Sequence, residues 1–553
     1  MHLPEASSTP ETPAPHPANP RGKTASLPPE SVGRQMVEFI ACLCIAVCVF
    51  KAFAAEGYMI STGSMAPTLL GVHRLVTCPS CKYSFPVGDS HARFAPLALC
   101  PNCTQTGIQT KDLQRNDGDQ LLVNRVAFEF RDPERWEVVT FRNPRKPTEA
   151  YVKRLIGLPG ETVEIERGDI LIDGEVQRKS FEKQRAIRLP VHDIAFQPKI
   201  EKGDLPWEPR WAGEPHWKRT ETGFELEASP GEKSAPLRTL QYHHWIRAGG
   251  RYNTEQALVK LPQGISLSEA GFLTVGYSPM TKKLECRGAM SEQDRDRLLA
   301  LSGDAEFQAA IKDLFRSSHL HPVGDLCAYN APDGAAQYAV PDLMLELQIE
   351  NPTGTGLCRI LIDSGRGEYG VELDYDRHEV RLVKQGVKDP LRAAPFLPGD
   401  SPEGTLLEFS VFDRQAGVAV NRQEPFPAWP FPKEETQFFA TRTPARIEAK
   451  GAKFRISKLR LFRDVYYTQD RNDRGKKYKL QNRPERQEYF MLGDNSPVSV
   501  DSRFWNPSQM AVRKDFMGKP FVVHLPARNR RLNLWGLELQ IRIPDFSQMR
   551  YIR

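Results

Sequence analysis

Ser64 and Lys153 are the residues of this sequence whose types and surroundings suit acyl transfer. Ser64 lies in Ser61-Thr62-Gly63-Ser64-Met65-Ala66-Pro67-Thr68-Leu69, and Lys153 in Tyr151-Val152-Lys153-Arg154. A serine hydroxyl is a weak nucleophile at neutral pH, and a lysine amine can activate it when burial lowers the amine pKa toward working pH. In an extended strand Tyr151, Lys153 and Leu155 share one face, so the amine would sit between apolar neighbours that disfavour its charge. A second group, Cys78-Pro-Ser-Cys81 followed after eighteen residues by Cys100-Pro-Asn-Cys103, has the C-x2-C…C-x2-C spacing of a zinc ribbon. Two such turns offer four thiolates to one tetrahedral metal, a structural zinc with no open position for catalysis. In an oxidising compartment the alternative is two disulfides.

The elements that must position these groups are mainly β. The chain has 553 residues, enough for two or three domains, and its 45 prolines and 39 glycines favour short strands and turns over long helices. Basic and acidic residues number 75 and 69, a balance that argues against nucleic acid as a partner. Residues 1–35 are rich in Pro, Ser, Thr and Ala and read as disordered. Residues 36–55 are apolar apart from Glu38 and Lys51 and, as a helix, would reach about 30 Å, enough for a transmembrane anchor. The alternative is a secretory signal ending at Ala52-Phe53-Ala54. Flanking charges give a weak signal of orientation.

Four stretches in order resemble the boxes of bacterial type I signal peptidases, membrane-anchored Ser/Lys endopeptidases: residues 61–69; Gly118-Asp119-Gln120-Leu121-Leu122-Val123-Asn124-Arg125, continued by 133–141; Tyr151-Val152-Lys153-Arg154-Leu155-Ile156-Gly157-Leu158-Pro159-Gly160-Glu161; and Gly493-Asp494-Asn495-Ser496-Pro497-Val498-Ser499-Val500-Asp501-Ser502-Arg503. The resemblance covers residues 36–75, 117–175 and about 485–530. It implies Ser64 as nucleophile, Lys153 as general base, and the Ser64 N–H with the Thr62 hydroxyl as oxyanion donors. It further implies that Ser499 orients the lysine amine and that Asp501 and Arg503 form a supporting ion pair. Two positions depart from the family: Ser496, where many members carry a basic residue, and Trp136, where glycine is common.

The resemblance, together with the alternating runs of the segment it leaves out, carries a fold and a function as expectations. The fold is a signal-peptidase-type β catalytic domain behind one N-terminal transmembrane helix, with an inserted jelly-roll β-sandwich of the concanavalin/laminin-G type. The domains are 1–35 disordered, 36–55 anchor, 56–77 catalytic with the nucleophile, 78–110 zinc-ribbon-like, 111–180 catalytic with the base, 181–216 linker, 217–465 sandwich and 466–553 catalytic. Strand-like alternation within the sandwich recurs at residues 223–228, 343–349, 369–374, 406–412 and 454–462. Residues 291–316 read as one or two surface helices on it. Trp207, Trp211, Trp217 and Trp245 read as packing residues, with sugar stacking the alternative; His243 and His244 read as structural.

The expected activity is removal of signal peptides from exported preproteins after small-x-small motifs, with no catalytic cofactor. The expected location is the plasma membrane, N-terminus cytoplasmic and catalytic domain outside, with one side of the Met65-Ala66-Pro67 turn facing lipid. The alternatives are a specialised Ser/Lys peptidase for envelope proteins recruited by the sandwich, and a non-catalytic anchored protein that binds glycans or acts as a scaffold.

Overall fold

The computed structural model describes residues 32–49, 55–90, 96–198, 209–213, 215–227, 236–247, 253–268, 271–330, 338–353, 356–396, 404–432, 438–469, 475–506, 509–525, 527–534 and 537–552. Contacts divide the chain into residues 1–54 and 55–553. In the first unit a helix spans Val32–Val49. Its first two turns carry Arg34, Gln35 and Glu38, with Arg34 and Glu38 paired at 2.8 Å. Among the described residues no helix is long and apolar enough to cross a membrane, and residues 50–54 of the expected 36–55 span lie outside the described residues. Residues 1–31 of the expected disordered segment lie outside them too.

The second unit is mainly β. Its peptidase-like part is built on an antiparallel sheet whose principal strands are β1 (Ala55–Met59), β2 (Gln120–Asn124), β3 (Val138–Asn143), β4 (Lys146–Gly157), β5 (Arg486–Leu492) and β6 (Phe516–Val523). Their spatial order is β1-β2-β6-β3-β4-β5, so strands far apart in sequence are neighbours. Alternation fixes the faces: Leu121 and Val123 of β2 are buried while Gln120, Leu122 and Asn124 are half-buried. Leu121 and Val123 join Ile60, Met65, Leu69 and Val138 in one apolar cluster under the Ser64 loop. Phe141, Leu155, Tyr489 and Met491 pack a second cluster under β4.

The large insertion folds as two facing sheets. One runs Trp217–Arg219, Gly223–Leu226, Lys453–Arg463, Leu343–Thr353, Thr405–Phe412, Gln415–Val420 and Trp429–Pro430; the other runs Trp211–Gly213, Arg238–Tyr242, Ala445–Lys450, Leu357–Asp363, Glu368–Asp374, Glu379–Lys384 and Arg392–Pro395. Inward residues of both sheets, among them Leu345, Leu347, Ile360, Val371, Phe409 and Ile447, form one core. Residues 181–216, expected to be a linker, instead hold the helix Phe181–Ile187 and the strands Leu189–Asp193 and Trp211–Gly213, which pair into these sheets. The reason is visible in composition: Phe181, Ile187, Leu189, Val191 and Trp211 are apolar and all buried.

The helices Glu292–Leu301 and Ala305–Ser318 lie within the 291–316 region, capped by Ser291 and Asp304. They are not simply laid on the sandwich. Leu298, Phe307, Ile311 and Leu314 share a core with Leu284, Cys286 and Val275 of a separate three-stranded sheet.

Buried ionic groups key the insertion to the peptidase-like part. The Lys179 ammonium lies 2.5 Å from Asp413 and 2.8 Å from Asp464, and 4.5 Å from the centre of the Trp136 ring. Those carboxylates, outweighing the cost of burial, hold the Lys179 proton well above the ordinary lysine range. Asp342 completes this acidic group, accepting from the Asp413 N–H at 2.8 Å, and Lys179 supplies a positive charge to its other two members. Trp136 itself has φ +73°, a left-handed conformation that explains the glycine common there in the resembled family and costs a bulky residue on the order of 1–3 kcal/mol.

Candidate active site

The Lys153 Nζ donates to Ser64 Oγ at 2.5 Å, across 89 positions of sequence. Strand β4 delivers the lysine: Lys153 pairs with Val139 on β3, and its side chain enters the same side as Tyr151, whose ring centre is 5.4 Å from Nζ. Only 4% of Lys153 is exposed, and burial pulls its pKa down to about 8 against the opposing pull of Asp501 and Asp494. Half or more of the amine is therefore neutral at mildly alkaline pH, the form that can take a hydroxyl proton.

Ser64 sits in a turn, half-buried at the floor of a cleft of about 630 Å³. Residues 58–65 form one wall of the cleft and residues 149–153 another, with Tyr329, Asn330, Val498 and Val500 closing it. Thr62 also lines the cleft, and among the described residues neither its hydroxyl nor the Ser64 N–H makes a hydrogen bond, which leaves both available as donors. Of the Met65-Ala66-Pro67 turn, Met65 and Ala66 are fully buried and Pro67 is half-buried; the exposed apolar side chains at the cleft are Met59, Val498 and Val500.

The stretch 493–503 backs the site. The Ser64 carbonyl accepts from Asn495 N–H at 3.1 Å, and the Gly63 carbonyl accepts from Asn495 Nδ2 at 2.8 Å. Gly493 packs so closely that a Cβ there would collide with the Ser64 carbonyl oxygen and with Ser499 Oγ. Ser499 is buried next to this glycine, and among the described residues its hydroxyl has no hydrogen-bond partner; no bond to Lys153 is made. Asp501 and Arg503 form a bidentate pair, both distances 2.8 Å, within a turn rather than along a strand. Ser496 Oγ accepts from Arg503 Nη1 at 2.7 Å and from Thr468 N–H at 2.8 Å. Sequence reasoning missed Arg154, Asn495, Tyr329 and Asn330. Only Arg154 carried a signal, as a charge following the lysine in a strand buried on both faces.

The four cysteines converge. Cys78 and Cys103 Sγ are 3.6 Å apart, as are Cys81 and Cys100, and all four Sγ lie within 4.8 Å of one another. A disulfide requires about 2.05 Å. Thiolates about 2.3 Å from one tetrahedral zinc are separated by roughly 3.8 Å, so the donor set fits a metal. The two knuckles match in backbone too: Lys82 (φ +66°) and Thr104 (φ +57°) follow their second cysteines in the left-handed region, donating to Cys78 and Cys100 carbonyls at 3.0 and 2.9 Å. Trp211, Trp217 and Trp245 are buried and serve packing rather than an exposed sugar platform; Trp207 lies outside the described residues. His244 is buried against the Tyr242 hydroxyl at 3.0 Å, a structural position, and burial lowers its pKa well below the usual value.

Residues 104–210 match the family model described as signal peptidase, peptidase S26. Among curated proteins, the chain is 33% identical over 69 residues to a probable signal peptidase I-2 of Synechocystis sp., covering 11% of this chain and 31% of that protein. It is 29% identical over 136 residues to a signal peptidase I of Rickettsia typhi, covering 25% and 41%. The chain thus spans less than half the length of the curated relatives it matches. Among solved structures, the carbohydrate binding module CBM66 from Bacillus subtilis aligns at 13% identity over 22% of this chain and 74% of that one, with a TM-score of 0.18, a value that bears on neither fold nor function. The family match takes in the strand that carries Lys153, and the curated relatives are signal peptidases, so over these segments the chain is similar to the signal peptidase, peptidase S26 family.

Proposed function

We propose that this chain is a signal peptidase I, a serine endopeptidase in which Ser64 and Lys153 form the catalytic dyad and which cuts exported preproteins after small-x-small motifs. The observation that carries the reading is the buried Lys153 amine, 2.5 Å from Ser64 Oγ and with its pKa lowered to about 8. Neutral Lys153 takes the Ser64 proton as Oγ attacks the scissile carbonyl. The oxyanion is received by the Ser64 N–H and the Thr62 hydroxyl, donors held in place before the reaction begins. The lysine ammonium returns its proton to the leaving amine, and a water activated by the same amine releases the acyl group. Ser499 would steady the amine when it turns from Ser64, and the Asp501–Arg503 pair fixes the turn that presents Ser499.

The catalytic domain is assembled from residues 56–77, 111–180 and 466–553 around the insertions. Residues 36–55 anchor it in the plasma membrane, N-terminus in the cytoplasm and cleft outside, where exposed Met59, Val498 and Val500 meet lipid as the scissile bond leaves the bilayer. Cys78, Cys81, Cys100 and Cys103 hold one structural zinc, which takes no part in the reaction. Cleavage of a labelled preprotein by the detergent-solubilised chain tests the reading: wild type cuts once after a small-x-small site, and Ser64→Ala and Lys153→Ala do not.

A further inference from the structure

The nucleophile loop is gripped from outside the peptidase-like segments. In the connection between the helical subdomain and the sandwich strand Leu343–Thr353, a short turn spans Ala328–Asn330. The Tyr329 ring fills the space left by the missing Cβ atoms of Gly63, next to the nucleophile, and Gly88, in the cysteine-bearing insertion. Its hydroxyl donates to the Val72 carbonyl at 3.0 Å. Asn330 Nδ2 donates to Asn495 Oδ1 at 2.6 Å and Asn495 Nδ2 donates back to Asn330 Oδ1 at 2.8 Å, a closed amide pair.

That pair constrains the chemistry one step away. Asn495 Nδ2 also donates to the Gly63 carbonyl. In a trans peptide the C=O and the following N–H point in opposite directions, so fixing the Gly63 C=O fixes the direction of the Ser64 N–H. The Gly63 carbonyl also accepts from the Ala66 N–H at 3.0 Å, so without Asn330 the Asn495 amide could rotate and present its oxygen to that carbonyl, leaving one of its two donors and a Ser64 N–H direction less firmly held. The turn is in turn tied to the sandwich: Gly324 bridges Ala339, the Asp325 N–H donates to the Tyr338 carbonyl at 3.0 Å, and Arg463 Nη2, on a sandwich strand, donates to the Leu326 carbonyl at 2.8 Å.

We infer that the Tyr329-Asn330 turn of the insertion is a positioning element of the Ser64 centre, aiming the Ser64 N–H through Asn495 at the site where the oxyanion develops. This rests on the peptidase reading, and it makes the insertion part of the active site rather than an appended module. Asn330 touches neither nucleophile nor base; it acts through Asn495.

The test uses the full chain with Asn330→Ala, Asn330→Asp, Asn495→Ala and the Asn330→Ala/Asn495→Ala double variant. Two rates are read: preprotein cleavage, split into kcat and KM, and acylation of Ser64 by an activated aryl ester, followed by intact mass. Losing one neutral hydrogen-bonded partner is expected to lower kcat about tenfold in Asn330→Ala with KM little changed. The double variant is expected to be no slower than Asn495→Ala alone. Asn330→Asp is nearly isosteric, keeps an acceptor for Asn495 Nδ2 but loses the return donor, and is expected to fall between Asn330→Ala and wild type, which also covers a misfolded alanine variant. Full kcat in Asn330→Ala, or losses that simply multiply in the double variant, would overturn the inference while leaving the peptidase reading intact. If wild type cuts no preprotein, that reading fails, and the acylation rates still decide: equal rates in wild type and Asn330→Ala overturn the inference, and no acylation of wild type overturns both.

Discussion

Arg154 Nη2 lies 2.6 Å from Asp494 Oδ2, with Nε 2.8 Å from Oδ1, and neither side chain reaches solvent. Arg154 follows Lys153 on β4, and Asp494 stands between Gly493 and Asn495, which both touch the Ser64 carbonyl. Consecutive strand residues point to opposite faces, so the lysine enters the cleft while the arginine locks the same strand to the loop behind Ser64. The ion pair thereby ties the strand that carries Lys153 to the loop that backs Ser64.

Removing one partner of that pair strands a buried charge. Arg154→Met is expected to cost about 3–5 kcal/mol of stability, and the double variant Arg154→Met/Asp494→Leu to recover much of it. Urea unfolding midpoints of the three proteins measure this; a single variant as stable as wild type would show that the pair bears no load.

Activity should follow the charge of Lys153. With its pKa lowered to about 8 by burial, kcat/KM should rise through pH about 8 as the amine loses its proton. The stability sign is opposite to that of a paired lysine. The folded pKa is below the ordinary 10.5, so the unfolded chain binds more protons between the two values, and stability rises with pH from about 8 to about 10.5. Lys153→Met should abolish that slope and be more stable than wild type at pH 7, as read by thermal unfolding across pH.

Gly493→Ala should cut kcat by about 100-fold or more with the fold retained, because the new methyl must push the Ser64 carbonyl and Ser499 away. Circular dichroism alongside preprotein cleavage separates the displacement from global unfolding.

The four-cysteine site predicts about one zinc per chain by elemental analysis, and protection of the four thiols until a chelator is added. Chelation should lower the unfolding midpoint. It should also loosen the nucleophile loop, since Tyr329 packs on Gly88 in the same insertion as the knuckles. Absence of zinc together with two disulfides by mass analysis would contradict the metal.

Much of this site can be read locally. The period of two that puts Tyr151, Lys153 and Leu155 on one face needs only neighbouring residues, and the cysteine spacing carries its own tetrahedral geometry. What escapes is non-local or irregular. Asn330 and Asn495 are 165 positions apart, in segments without periodicity, and a single asparagine has no pattern to announce its partner. Residues 181–216 look like a linker because Pro, Lys and Arg interrupt their apolar residues, yet Leu189–Asp193 pairs as a strand with the distant Lys453–Arg463. Arg154 stands out as a charge in an otherwise apolar run, but its partner Asp494, 340 positions away, has no local signal.

The most direct test of the account is the pH-dependent cleavage of one labelled preprotein by wild type, Ser64→Ala and Lys153→Ala. The account predicts a single cut after a small-x-small site, a rate that rises through pH about 8 in wild type, and no cleavage by either variant at any pH. Cleavage that survives in Lys153→Ala, or a wild-type rate indifferent to pH across that range, would contradict a Ser64 nucleophile activated by Lys153.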